Sequence, residues 1–218
     1  MKEAILEPLL RKMRLARVLP YIQSFANPKV LDIGCGWEAR LLREIEPYIS
    51  KGVGIDFKAP KISTPKLETF AYFFEQKEEI TESSQNAFTF NGGGGNANLS
   101  TKHCHLPFEN EEFDVVTLLA VLEHLNHPKE MLQEIARVLK PNGILLLTVP
   151  SRAAKPVLEF LSYRLKIVSE AEIRDHKRYY NKADLANLAH QVPNLCLQKH
   201  KYFQCGMNNF ALLRKVQA

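Results

Sequence analysis

The chain has 218 residues, 45% hydrophobic and 24% charged, a balance that fits one soluble globular domain with a substantial core. No apolar run approaches the roughly 18 residues of a membrane span, and the early charges Lys2, Glu3 and Glu7 argue against a secretory signal. The net charge of +5 divides into +3 over residues 1–17, −5 over 18–151 and +7 over 152–218, an acidic middle between basic flanks.

In chain order, residues 3–24 place Ile5, Leu6, Leu9, Leu10, Met13, Val18 and Leu19 at helical spacing, with Pro8 near the start. Residues 29–33 read as a buried strand. Gly34 and Gly36 follow one residue apart, and 38–49 read as a helix with Leu41, Leu42 and Ile45 inward. Strand, glycine turn and helix open a nucleotide-binding βαβ unit. A second strand, 52–56, ends at Asp56, which lies 20 residues after Gly36, the distance at which such folds place an acid on ribose hydroxyls. The third position of a G-x-G-x-x-G pattern is Ala39, which the pattern tolerates. Asp32, two residues before Gly34, would set a carboxylate near a pyrophosphate, so it suits a cationic ligand better.

A helix is expected over 65–80 with Phe70, Phe73 and Phe74 inward. Residues 82–101 hold four consecutive glycines, Gly92 to Gly95, and read as an inserted loop, since ordering such a run costs too much entropy for a helix or strand. The run Val115–Leu119 is apolar throughout, as in a strand buried on both faces. Pro128–Leu139 is amphipathic, with Met131, Leu132, Ile135, Val138 and Leu139 on one face, and Lys140-Pro141-Asn142-Gly143 stops it. Strand 144–149 follows. Residues 154–166 and 184–190 read as helices, and 196–203 and 208–215 as two strands joined by a turn containing Gly206. The alternation of strands and helices argues for an α/β architecture. The cysteines at 35, 104, 196 and 205 form no C-x-x-C pair, and His103-Cys104-His105 stands alone. Free thiols in a cytoplasmic protein are expected, and no metal site.

Three segments within residues 29–150 carry a family resemblance. They are Asp32-Ile33-Gly34-Cys35-Gly36, the L-P-F-x-x-x-x-F-D-V-V run Leu106–Val116, and R-V-L-K-P-N-G-I-L-L-L-T-V-P over Arg137–Pro150. Together they resemble the class I S-adenosylmethionine (SAM) methyltransferases, and within them the type 11 family. The resemblance implies a Rossmann-like seven-stranded sheet in order 3-2-1-4-5-7-6 with an antiparallel last strand. It also implies one domain over 1–218, with a helical flank at about 1–28 and the glycine-rich insertion at about 82–101.

The cofactor so implied is SAM, with S-adenosylhomocysteine as product. On this reading Gly34 and Gly36 lie beside the methionine part, Asp32 turns toward its ammonium, Asp56 takes the ribose hydroxyls and Phe57 lies against the adenine. Leu119 and Ala120 border the cofactor. Where the family carries an adenine-binding aspartate this chain has Lys102, which accepts no bond from an amino group, leaving that contact to the backbone of His103. Trp37 replaces the small residue usual after the second glycine.

Methyl transfer from a sulfonium needs chiefly that donor and acceptor be held in line, so no catalytic triad is expected. Candidates for moving an acceptor proton are His124 in Glu123-His124, and His176 and Tyr179 in a segment resembling the family's H-x-R-x-[FY]. The implied activity is methyl transfer to a small molecule or a lipid- or sugar-linked compound, and the basic flanks suit an anionic one. Two alternatives stand beside it, an RNA methyltransferase and a SAM-binding regulatory protein without turnover. No separate RNA-binding module is visible.

Overall fold

The computed structural model describes residues 7–73, 104–156 and 177–217. One eight-stranded sheet organises them: β1 (Lys29–Ile33), β2 (Lys51–Asp56), β3 (Ile62–Ser63), β4 (Leu67–Ala71), β5 (Phe113–Leu119), β6 (Leu139–Pro150), β7 (Leu195–Phe203) and β8 (Asn208–Lys215). Their spatial order is β3-β4-β2-β1-β5-β6-β8-β7. Without the two-residue β3, this is the expected 3-2-1-4-5-7-6 order. β1 lies centrally and pairs in parallel with β2 and β5, which sets Asp32 beside both Gly54 and Thr117. β8 runs antiparallel to β6 and β7.

Both faces of the sheet are covered, which is why β1, β2 and β5 are apolar in nearly every position. On one face α1 (Glu7–Ile22) and α2 (Arg40–Ile45) bury Val18, Ile22, Leu42 and Ile45 against Val30, Val115, Leu146 and Phe210. On the other, α3 (Pro128–Val138) and α4 (Lys182–His190) set Met131, Ile135 and Leu185 against Leu31, Ile33, Val116 and Leu118. The alternation along β1 therefore assigns Asp32 to the α1 side. Among the described residues no helix is long and apolar enough to cross a membrane.

The expected helix at 65–80 is not formed in its described part. Residues 67–71 are strand β4, paired in parallel with β2. Leu67 and Thr69 are buried two residues apart while Glu68 between them is exposed, the period of a strand. The three-residue spacing of the phenylalanines misleads, because Phe73 is 73% exposed. Phe74 and the rest of that helix lie outside the described residues, as do the 82–101 insertion and positions 157–166 of another expected helix.

Other boundaries shift for local reasons. α2 starts only after Ala39, which takes a left-handed φ of 47°, and it gives way to a 3-10 turn at Glu46–Tyr48 that contains Pro47. β6 begins earlier than expected. Leu139 pairs with Phe113, and the register then jumps so that Ile144 pairs with Val115, looping out Lys140–Gly143 as a bulge. In that bulge Asn142 adopts the positive φ, 64°.

Two of the family-like segments prove to be one assembly. Arg137 donates to the carbonyls of Leu106 (2.9 Å) and Phe108 (2.7 Å) and to Glu134 Oε2 (2.7 Å), which also accepts from the Leu106 N–H. Burial pushes the Glu134 carboxyl up, but these bonds outweigh it and hold its pKa below the ordinary value. The L-P-F turn is thus fastened to α3. α4 opens with a reciprocal cap, Asn181 accepting from the Asp184 N–H while Asp184 accepts from that of Asn181. Asn181→Ala is expected to cost about 1 kcal/mol in urea unfolding. An unchanged midpoint would show that the cap is not needed.

Candidate functional site

The site is built at the carboxyl end of β1. Past Ile33 the chain turns through Gly34 (φ 80°) and Gly36 (φ 69°), both left-handed. The N–H groups of Gly34 and Cys35 donate to the Ile55 carbonyl of β2 at 2.8 and 3.2 Å, tying the turn to the neighbouring strand. A Cβ on Gly34 would stand 2.3 Å from Val121 Cγ2, so the first glycine is required by packing. A Cβ on Gly36 would meet nothing within 4 Å, so that position opens onto free space. Such a cradle of bare backbone beside two acids is what a ligand needs in order to approach the main chain closely.

The acids differ in environment. Asp56, partly buried at the end of β2, accepts from the Gly36 N–H through Oδ2 (3.2 Å) and from the Lys58 N–H through Oδ1 (2.8 Å). It therefore braces the glycine turn while keeping further lone pairs for a ligand. Asp32 is 3% exposed and accepts from Thr117 Oγ1 at 2.6 Å. Burial raises its pKa to about 7, the Thr117 bond opposes the rise and the Asp56 charge adds to it. Burial and both aspartates also push the Cys35 thiol up.

A pH dependence follows from the raised Asp32 pKa. The folded state holds this proton more tightly than the unfolded chain. Its contribution to stability is therefore full below the ordinary carboxylate pKa of 3.8 and is lost as pH rises toward about 7. The stability advantage of Asp32→Asn over the unmodified ligand-free protein is expected to grow across that window in urea titrations. A constant difference would contradict it.

Beside Asp56 lies an aromatic wall. Phe57 is 51% exposed, with its ring 6.1 Å from that of Phe73, and Lys58 Nζ stands 4.7 Å from the Phe57 centroid and 5.5 Å from that of Trp37. Trp37 thus faces Lys58, with 55% of its surface exposed. Ala120 leaves β5 with a left-handed φ of 58°, its N–H held by the Thr148 carbonyl at 2.9 Å. Leu119 and Ala120 are partly buried at this same end of the sheet.

The 3-10 turn Leu122–His124 comes next, and His124 in it is partly exposed. Lys177 N–H donates to the Glu123 carbonyl (2.9 Å) and Arg178 Nη1 to that of Leu125 (3.0 Å), so the segment bearing Tyr179 runs along this turn. His103 and His176 lie outside the described residues. Asp32, Gly34, Gly36 and Asp56 are thus gathered at one turn, with Phe57 beside it. Leu119, Ala120, His124 and Tyr179 line the ends of the next strands.

Three residues here are missed by reading the sequence. Thr117, the partner of Asp32, is signalled only as a lone hydroxyl in an apolar strand. Val121 is the wall that excludes a side chain at Gly34. Glu123 is overlooked beside its histidine neighbour, yet it is 1% exposed. Burial raises its pKa to about 7, against its own backbone amide, His124 and Arg14, which lower it. Among the described residues no group of three or more His, Cys, Asp and Glu side chains is placed to hold a metal. Two surface hollows, of about 430 and 620 Å³, open near Arg137 and near Phe108, away from the glycine turn.

Residues 7–192 match the family model described as a methyltransferase domain. The chain is 25% identical over 199 residues to a ubiquinone biosynthesis O-methyltransferase of Pasteurella multocida, covering 88% of this chain and 76% of that protein. It is 28% identical over 146 residues to a demethylmenaquinone methyltransferase of Lactiplantibacillus plantarum, covering 66% and 54%. The fold is similar to the crystal structure of a 1,6-didemethyltoxoflavin N1-methyltransferase of Burkholderia thailandensis with bound S-adenosylhomocysteine. There the TM-score is 0.59 at 11% identity, over 97% of this chain and 82% of that one.

Proposed function

The chain belongs to the methyltransferase domain family as a class I SAM-dependent enzyme, and we propose that its acceptor is a small molecule methylated on a ring hydroxyl. The glycine turn with its two acids carries the cofactor side of this reading. Gly34 and Gly36 present backbone to the methionine part, and Asp32 faces its ammonium. Asp56 takes the ribose hydroxyls, Phe57 lies against the adenine, and the main chain of Leu119 and Ala120 borders the cofactor. When bound, SAM supplies an activated methyl group. The protein's part is to hold the acceptor in line with it and to exclude water, a contribution of several kcal/mol from positioning alone.

Support for a hydroxyl acceptor comes from the relatives whose name is ubiquinone biosynthesis O-methyltransferase. The basic residues of α1 and of the segment after β6 suit an acceptor that also bears an anionic group. His124 and Tyr179 stand at the acceptor side, and His176 belongs to the same sequence segment.

Since the ammonium prefers an ionised partner, affinity for SAM should rise as pH passes upward through about 7 and Asp32 loses its proton. The reading is tested by incubating the protein with methyl-labelled SAM and a panel of hydroxylated benzoates and quinols. Label in the acceptor, with an equal amount of S-adenosylhomocysteine, is expected. SAM binding without label transfer to any hydroxylated ring would turn the reading to a regulatory protein.

A further inference from the structure

We propose that the face formed by α1 and β7 docks on an anionic lipid bilayer. The first observation behind it is where the acids are missing. Residues 8–31 and 185–218 contain no Asp or Glu, against five and four Lys or Arg respectively. Lys29 and Lys215 from these stretches are paired, with Glu112 and Glu111.

The fold joins the two stretches into one surface. Tyr21 of α1 stacks on Phe210 of β8 with ring centroids 5.4 Å apart. Arg17 lies over the Phe203 ring at 5.7 Å, and Lys199 over that of Tyr21 at 5.4 Å. These ring contacts hold Arg17 and Lys199 in place without cancelling their charge, since a ring carries none. Side chains along a strand alternate in direction. Phe203 packs on the α1 side, so Lys201 and Lys199, two and four positions before it, point to that side as well. Both lysines are exposed, in the last strand of the sheet.

α1 adds its outer stripe. Among the described residues its exposed positions are Leu9, Lys12, Ala16, Arg17 and Pro20, which fall within about 140° of one another around the helix. Three are apolar and two cationic, and Leu9 is 56% exposed. A merely solvated face would carry acids and amides among its bases. A nucleic acid is met by cations and stacking rings and gains nothing from Leu9, Ala16 and Pro20. Apolar groups interleaved with cations suit the surface of a bilayer. There the apolar ones enter the acyl boundary while the cations stay among anionic headgroups.

This face leads to the glycine turn. α1 feeds back into β1, so its first turns lie at the carboxyl ends of the strands. Gln204, in the turn after β7, reaches the Leu10 carbonyl at 3.5 Å. Glu38, two residues past Gly36, is held below its ordinary pKa by its bond to Arg40 and by the charges of Arg40, Arg11 and Arg43, against desolvation. Arg11 therefore brings α1 beside that turn. On the methyltransferase reading above, a docked molecule opens its cofactor turn toward an acceptor carried in the bilayer. The docking itself does not depend on that reading.

The test is sedimentation of the full-length protein with two kinds of vesicle at low ionic strength, phosphatidylcholine alone and phosphatidylcholine mixed equally with phosphatidylglycerol. Binding to the mixed vesicles alone is expected, and it should weaken as salt rises. Each cation brought to such a surface is worth roughly fivefold in partition, so Lys199→Gln with Lys201→Gln should weaken binding about twenty-fold. Leu9→Ser should weaken it about fivefold, by removing the inserted apolar group. A mixed-sequence RNA at the same phosphate concentration is expected to leave most of the protein on the vesicles. Equal binding to both kinds of vesicle, binding to neither, or binding unchanged by the lysine pair or by Leu9→Ser would overturn the proposal. Release by RNA would overturn it too, in favour of a nucleic acid partner. The comparison of vesicles in the unmodified protein decides the matter even if a variant does not fold. S-adenosylhomocysteine binding is measured alongside. Its loss with vesicle binding intact would count against the methyltransferase reading alone, and the reverse result against the docking alone.

Discussion

Replacing Asp56 by alanine is expected to weaken SAM binding by an order of magnitude or more. Two charge-assisted bonds to ribose hydroxyls are worth roughly 1.5–3 kcal/mol each, and about 1.4 kcal/mol is already tenfold in affinity. The substitution also strips the Gly36 and Lys58 N–H groups of their acceptor, loosening the turn that the ligand leans on. Asp56→Asn keeps one oxygen for the turn and should fall between the two. Calorimetry reads both variants, and unchanged affinity in Asp56→Ala would mean that the ribose lies elsewhere.

Gly34→Ala is expected to destabilise the protein strongly. Its new Cβ would lie 2.3 Å from Val121 Cγ2, and its φ of 80° belongs to the left-handed region. The backbone costs roughly 1–2 kcal/mol and the overpacking about 1–3 kcal/mol more. Gly36→Ala shares the backbone penalty at a φ of 69° but meets no neighbour within 4 Å. Gly36→Ala should therefore lose only the backbone part in urea unfolding, while SAM binding falls because the methyl group enters the cradle. Equal destabilisation by the two substitutions would show that Val121 yields and that the contact is not what selects glycine at 34.

How legible was this site? The strand-turn-helix around Gly34 was readable because each of its parts is local: an apolar run, glycines at left-handed positions, and an acid at the next strand's end. The same holds for β7 and β8, where Gly206 marks the turn, and for α3, whose apolar stripe repeats at helical spacing. The sheet order followed from the family resemblance, and the register that puts Asp32 beside Gly54 and Thr117 agrees with it.

The failures came where distant contacts decide. β4 looks helical from its phenylalanines, and only the pairing of Gly52–Asp56 with Leu67–Ala71 makes it a strand. The partnership of Thr117 with Asp32 spans 85 positions in sequence, and nothing local announces it. Glu123 enters the sequence reading only as the neighbour of His124. Its burial comes from the packing of α1 and of the segment after β6, elements whose own sequences are the least patterned in the chain.

The most direct test of the central claim, that the turn at Gly34–Gly36 holds SAM through Asp32 and Asp56, is calorimetric titration of the purified protein with SAM and with S-adenosylhomocysteine across neutral pH. Micromolar binding of both is expected, with SAM gaining affinity as Asp32 ionises near pH 7. Absence of binding by either, in protein that unfolds cooperatively, would contradict the claim.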